Sequence, residues 1–308
     1  MCAGCMACVE ACPTSAIEIV KRIEFYDAIV DEGRCVDCGL CLRLCQQHNP
    51  VNYNEPICWF QGWASDWQER MTSSSGGVAS ALMRSFAENG GAVVSCAFDK
   101  GKFVYETCTD HNGINKFKGS KYVKSDPHGI YGVVKGLLAS GKKVLFVGLP
   151  CHVSAMKLYS GAKLGGNLYT IDLICHGTPD PQLLDIYLKS INVSIMDIEE
   201  IRFRSKSSFG IEGRAMQTID SLSIDPYTMA FLNGLSYTDN CYKCPYAKTA
   251  RVADITLGDS WGTDLSNESD SGVSLVMCMS RKGKDLLDGA GIELFDVDAS
   301  KAIAHNEQ

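Results

Sequence analysis

Cys2, Cys5, Cys8 and Cys12 are followed by Pro13, and Cys35, Cys38, Cys41 and Cys45 repeat that spacing 33 positions later. The first run fits C-x2-C-x2-C-x3-C-P without a gap, a spacing that ligates a 4Fe–4S cube. Three thiolates two residues apart wrap one cube on a tight loop, and small residues between them let backbone N–H groups approach the sulfides. The fourth cysteine reaches the other cube of a two-cluster pair. Cluster I is therefore expected on Cys2, Cys5, Cys8 and Cys45, and cluster II on Cys35, Cys38, Cys41 and Cys12. Each fourth cysteine is expected to begin a helical turn. A pair of structural zinc sites is the competing reading, but zinc usually takes two short-spaced couples across a longer loop. Gln46 stands where the pattern has proline. A proline there only presets a turn, so cluster I should survive with altered exposure. Cys2 lies so near the terminus that its side of cluster I is expected to have little shielding.

A second set of cysteines is more scattered. Cys151 follows the apolar strand Lys143–Val147 through Gly148-Leu-Pro, and Cys175 follows the strand Asn167–Ile174. If those strands are parallel neighbours joined by a helix around Val153–Leu158, both thiols emerge at the carboxyl edge, where open α/β sheets bind ligands. Cys241-Tyr-Lys-Cys244-Pro245 supplies two more thiolates at the spacing of the first run. The set suits a third 4Fe–4S cluster. A four-thiolate zinc site, or a redox-active Cys241/Cys244 dithiol with two unrelated cysteines, remains open at this point. Cys58, Cys96, Cys108 and Cys278 are isolated and read as small buried hydrophobes.

The elements that position these ligands fall into two parts. Ala16–Val20 and Phe25–Val30 read as short strands with a turn at Lys21–Arg22. Loop, helical turn and hairpin, then the same again, is the order of an α+β two-cluster ferredoxin domain over residues 1–48. Residues 49–58 lie in a polar stretch with two prolines and read as a linker. From residue 59 to 308 the pattern is mixed α/β. The turn-rich Thr72–Gly77 precedes a helix over Val78–Glu88, with strands at Ala92–Phe98 and Phe103–Thr109. A helix at Ile130–Ala139, the two strands above, and a strand at Val252–Leu257 follow. Gly136–Lys142 imitates a phosphate loop, but Lys143 replaces the magnesium-binding Ser/Thr and the motif precedes a strand. There is no G-x-G-x-x-G, so an ordinary nicotinamide site has no support.

Composition narrows the classes further. The net charge is −7, of which the first 48 residues, with four Lys/Arg and seven Asp/Glu, carry −3. No basic stripe marks a nucleic-acid partner. No apolar stretch approaches the ~20 residues of a membrane span. Cys2 directly follows Met1, leaving no room for a secretory signal. Sixteen cysteines without such a signal point to a reducing, cytoplasmic setting and metal or redox chemistry.

From about Trp59 onward the chain resembles the family of β-subunits of coenzyme F420 hydrogenases and dehydrogenases. The motifs are Ser73-Ser-Ser-Gly-Gly77, Gly119-Ser-Lys-Tyr122, Val144-Leu-Phe-Val-Gly-Leu-Pro-Cys-His152, Ile174-Cys-His-Gly177, Phe203-Arg-Ser-Lys206, Cys241-Tyr-Lys-Cys-Pro245 and Ala253-Asp-Ile-Thr-Leu-Gly-Asp-Ser-Trp-Gly262. The resemblance implies a flavoprotein domain that binds FAD and an iron–sulfur cluster, whose ligands fall in the motifs of Cys151, Cys175, Cys241 and Cys244. It implies electron exchange with a small organic acceptor such as the deazaflavin F420. It also implies a redox partner protein, either a ferredoxin or a hydrogenase/dehydrogenase-like subunit. His152 stands where the family commonly has Gln, and the chain stops at Gln308 where members usually continue, which suggests C-terminal truncation.

Given that resemblance, Ser73, Ser74, Ser75, Gly76 and Gly77 at a helix start suit a pyrophosphate, held by hydroxyls, N–H groups and the helix dipole. An ordinary serine N-cap is the bland alternative. Ser120 and Lys121 join the expected FAD contacts, with Lys121 near the flavin N1/O2 edge; otherwise Lys121 is a solvated surface lysine. Arg204 and Lys206 suit a phosphate or an acidic substrate group, or form a charged strand end. His152 and His176 either serve a cofactor or simply pack. No catalytic residue stands out. The expectation is an iron–sulfur flavoprotein oxidoreductase. An electron-transfer adaptor subunit without a substrate of its own is the alternative, and a zinc-stabilised interaction module a third.

Overall fold

Each cysteine run reverses through a residue of positive φ, Met6 at 61° and Gly39 at 68°, and enters one short helix, α1 (Ala7–Ala11) and α2 (Leu40–Leu44). Cys12 and Cys45 are the extended residues that close those helices. The fourth cysteine of each run thus ends a helical turn and does not begin one. Cys8 and Cys41 lie inside these helices, and the extended cap turns the chain away. Between the runs, β1 (Ile17–Lys21) and β2 (Tyr26–Val30) pair antiparallel, with Ile17 opposite Val30. Among the described residues no second hairpin directly follows α2. Instead the chain docks: Gln46 is buried, and Asn54 exchanges backbone hydrogen bonds with Arg251. The expected linker is thus tied to the second part through Asn54 while most of its side chains stay exposed. The computed structural model describes residues 1–206, 208–214 and 225–306. Positions 207, 215–224 and 307–308 of the expected 59–308 unit lie outside the described residues.

The rest of the chain builds on one mixed sheet. Its first strands are β3 (Cys58–Ala64), β4 (Ala92–Asp99), β5 (Lys102–Cys108), β6 (Val144–Gly148) and β7 (Leu168–Leu173). A separate hairpin, β8 (Glu200–Arg204) and β9 (Phe209–Arg214), precedes β10 (Ile255–Asp259), β11 (Ser274–Cys278) and β12 (Ile292–Asp296). The eight sheet strands lie in the order β12-β3-β11-β10-β7-β6-β4-β5. Strands β4, β6, β7 and β10 are parallel, and the outer pairs are antiparallel. All of β6 is buried, as expected of a central strand covered on both faces.

The helices are α3 (Trp67–Met71), α4 (Val78–Glu88), α5 (Ile130–Ala139), α6 (Pro150–Ser160), α7 (Pro181–Ser190), α8 (Pro226–Leu232), α9 (Arg281–Leu287) and α10 (Ala299–Ala304). Helix α4 turns Val78, Leu82 and Phe86 onto one sheet face, where Leu287 of α9 joins them. Helices α5 and α6 cover the other face through Tyr131, Val134, Val153 and Met156. Ala7 of α1 belongs to that second core, so the first cysteine run is built into the molecule. Cys58 and Cys278, expected to be isolated, stand opposite each other on β3 and β11. Their wide separation in sequence hid the pairing.

Candidate functional site

Strands β6 and β7 are parallel neighbours joined by α6, so they end at one edge. Leu149 caps α6 and Pro150 occupies its first turn, a position that suits proline's missing N–H. Cys151 follows in that turn, and Cys175 lies two residues past β7. Cys241 and Cys244 sit on a turn held by Cys241 N–H to Thr238 O (2.8 Å) and Cys244 N–H to Cys241 O (3.2 Å). All four thiols line one cavity of about 320 Å³, together with Lys124, His176 and Tyr246. Burial pushes the Cys175 thiol up to about 12, and the charges of Cys241 and Cys244 add to it. Burial also raises Cys151 well above the usual thiol range, where the Lys124 ammonium opposes it and Cys175, Cys241 and Cys244 reinforce it. Four soft donors crowded around a void suit an iron–sulfur cube, whose iron favours the thiolate form. Among the described residues no three His, Cys, Asp or Glu side chains converge closely enough to share a single ion.

An ion pair that no sequence motif signals underlies this turn. Arg251 and Asp172 are both buried and 3.4 Å apart. Arg251 also donates to Tyr246 O and Leu173 O (both 2.8 Å), tying the Cys241–Cys244 turn to the end of β7. Asp172 accepts from Thr256 Oγ1 at 2.6 Å. Burial raises the Asp172 carboxyl pKa, with Arg251 working against it.

In the ferredoxin part, the structure brings Cys45 beside Cys2, Cys5 and Cys8. Burial raises all three thiols, Cys8 to about 12, and the Cys45 charge contributes in each case. Cys12 accepts from Ala16 N–H at 3.2 Å, and its thiol is lowered by that bond and by Thr14. The shielding expected from the sequence is reversed. Ala3, Met6 and Ala7 are buried around the first run, whereas Cys35 and Cys38 are exposed and Cys41 half-buried. The terminus folds under: Tyr131 donates to Cys5 O (2.7 Å) and Lys124 to Ala3 O (3.3 Å). Gln46, in the place of the proline, donates to Cys151 O (2.9 Å) and accepts from Tyr246 Oη. Its departure from the run was the only sequence signal of this contact.

A larger cavity, about 1050 Å³, is lined by Ser73, Ser74, Gly119, Lys121, Arg204 and Lys206 among others. The residue capping α4 is Gly77 at φ 85°, with no side-chain cap, so the serine N-cap reading is corrected. Gly76 is required because a Cβ there would lie 2.4 Å from Gly62 O and 2.7 Å from Ser274 N. Two serine hydroxyls face inward: Ser73 donates to Glu69 O (2.7 Å) and Ser75 to Val273 O (3.1 Å). Ser74 Oγ accepts from Ser120 N–H at 2.9 Å and keeps its proton for another partner. Lys121 is no solvated lysine. It donates to the carbonyls of Phe117, Lys118 and Gly119 at 2.9–3.1 Å, and burial lowers its pKa. Lys206 donates to Ser75 O, and burial, then Arg70 and Arg204, depress its pKa to about 8. Arg204 pairs with Asp259 and lies over the Phe209 and Trp261 rings. His152 is buried, hydrogen-bonded through Nδ1 to Tyr105 Oη (2.9 Å), and lowered by burial to about 3; it packs as a neutral core residue. His176 lines the four-thiol cavity.

Residues 141–298 match the family described as the C terminus of the coenzyme F420 hydrogenase/dehydrogenase beta subunit, and residues 1–49 match the 4Fe-4S dicluster domain. An F(420)H(2) dehydrogenase subunit from Methanosarcina mazei is 23% identical over 284 residues, covering 85% of this chain and 78% of that protein. A chain of the F420-reducing NiFe hydrogenase complex from Methanosarcina barkeri has a similar fold. Its TM-score is 0.57 at 16% identity, with 82% of this chain and 90% of that chain covered. Among the described residues no helix is long and apolar enough to cross a membrane. With just over half its length matched by the family, the chain belongs to the family of coenzyme F420 hydrogenase/dehydrogenase beta subunits and carries an iron–sulfur dicluster domain at its N-terminal end.

Proposed function

We propose that the chain is an iron–sulfur flavoprotein oxidoreductase that passes electrons between 4Fe–4S clusters and FAD, to or from a small organic acceptor of the deazaflavin class. The observation that carries this reading is a pair of cavities along one sheet. One is lined by Cys151, Cys175, Cys241 and Cys244; the other, lined by Ser74, Arg204 and Lys206, is roomy enough for a dinucleotide. In this reading residues 1–48 are the two-cluster unit, 49–58 the connection and 59–308 the flavin unit. Cluster I takes Cys2, Cys5, Cys8 and Cys45, and cluster II takes Cys12, Cys35, Cys38 and Cys41. Bound FAD would exchange single electrons with clusters and electron pairs with the acceptor.

The chain's own residues hold and orient. Ser74 has a hydroxyl proton to donate to a phosphate oxygen. Lys206, crowded by Arg70 and Arg204, gains from any anion that enters. Gly76 and Gly77 let the loop lie against β3 and β11 so that α4 begins at the cavity wall. Lys121 lines the cavity but donates its ammonium protons to the three carbonyls of the facing loop, so it fixes that loop. The relatives, a subunit of an F(420)H(2) dehydrogenase and a chain of an F420-reducing hydrogenase complex, motivate coenzyme F420 as the acceptor and a further redox subunit as the partner.

Because the M. mazei relative is named as one subunit of a dehydrogenase, an adaptor without its own substrate is the second reading. The test is anaerobic purification of the full chain, acid extraction of flavin, and turnover with F420 and artificial donors. Bound FAD with F420 reduction or oxidation is expected. FAD without turnover until a partner subunit is added favours the adaptor. A folded chain with no flavin after reconstitution overturns the proposal.

A further inference from the structure

Lys124 is 5% exposed, and among the described residues no carboxylate stands within ion-pair distance of its ammonium. A buried, unpaired cation is costly unless an anion faces it. Its Nζ donates to Ala3 O at 3.3 Å, on the loop between Cys2 and Cys5, and lies 5.0 Å from the Tyr26 ring centroid. The same side chain lines the cavity of Cys151, Cys175, Cys241 and Cys244, and Ala3 lines it too. Gln46, directly after Cys45, reaches Cys151 O from the other side. The first cysteine run and the four-thiol cavity therefore share a wall, and one positive charge stands in it.

A cube held by four thiolates is negatively charged, more so when reduced, and its potential responds to nearby charge and exposure. The second run has the opposite surroundings. Cys35 and Cys38 are exposed, and Val36 and Leu42 beside them are 62% and 55% exposed.

We infer that Lys124 is a positioning residue that joins cluster I electrostatically to the four-thiol site, making cluster I the inner and cluster II the outer member of the ferredoxin pair. This rests on the cluster reading above. The ammonium stabilises the reduced form of both neighbours and leaves cluster II untouched, so external one-electron carriers meet cluster II first.

The test is an electron paramagnetic resonance redox titration of the full chain, wild type, Lys124→Gln and Lys124→Arg. Glutamine keeps a donor for Ala3 O but removes the charge. It should shift cluster I and the four-thiol cluster to more negative midpoint potentials while cluster II stays put, and arginine should restore both. No shift, an equal shift in all three, or an arginine variant displaced like glutamine overturns the inference. If glutamine costs cluster I altogether, the wild-type chain decides: an aqueous paramagnetic chelate should speed relaxation of cluster II far more than of cluster I. Equal enhancement would refute the order. Iron content separates the two levels. About twelve irons per chain match three cubes. About eight remove the four-thiol cluster alone and leave the chelate comparison to settle which ferredoxin cluster is inner.

Discussion

Cys12 and Cys45 lie at matching helix ends, and the structure places Cys45 with the run it does not belong to, beside Cys2, Cys5 and Cys8. Cys12→Ser should accordingly damage the cluster of Cys35, Cys38 and Cys41. Electron paramagnetic resonance of the reduced variant reads this directly, and loss of the cluster on Cys2, Cys5 and Cys8 instead would break the crossed assignment. Lys206 is the most informative single group in the larger cavity. Burial and two arginines bring its pKa down to about 8, so it is charged below that pH and neutral above it. An anionic ligand should bind more weakly as pH rises through about 8, and flavin dissociation measured by fluorescence should show that step. Lys206→Met should flatten it. Without ligand the sign is reversed. The folded chain binds fewer protons than the unfolded one between about 8 and the ordinary lysine range, so this group adds stability as pH rises there. The two-cluster domain at residues 1–49 was legible because the chemistry of its cysteine runs is local and their spacing is rigid. Lys124 and Gln46 were not, because each matters through a partner more than 100 residues away.

At the scale of elements, the apolar periodicity over Val78–Glu88 and Ile130–Ala139 predicts α4 and α5 to the residue. The alternation of strand and helix likewise predicts the parallel β6–α6–β7 unit. What capped those helices was hidden. Gly129, at φ 86°, opens α5 with no side chain of its own, and the Glu10 carboxylate of α1 accepts from Gly129 N–H at 3.0 Å. An anion at a helix N-terminus is favourable, and here it fastens the ferredoxin part to the sheet. The Cys241–Cys244 turn has a similar dependence on a distant group. Arg251→Met would leave Asp172 buried without its cation, costing about 3–5 kcal/mol, and would release Tyr246 O and Leu173 O. The expected result is a lower unfolding midpoint and loss of about four irons, with the two ferredoxin signals intact. Retention of all the iron would show that the turn holds without the pair.

As a whole molecule, the chain is an eight-stranded sheet whose second core is completed by the ferredoxin part. Ala7 packs with Tyr131, Val153 and Tyr246, and Tyr26 donates to the buried Asp180 at 2.6 Å. Two units readable separately in the sequence are thus one assembly, and the polar stretch between them packs against Arg251 and Pro245. The proposed function requires the four-thiol cavity to hold a third cube beside the two in the ferredoxin part. Iron analysis of the anaerobically reconstituted full chain, wild type against Cys175→Ala/Cys241→Ala, tests it most directly. The account predicts about twelve irons per chain falling to about eight, with the ferredoxin spectrum unchanged. Equal iron in both proteins, or zinc in place of the lost iron, would contradict it.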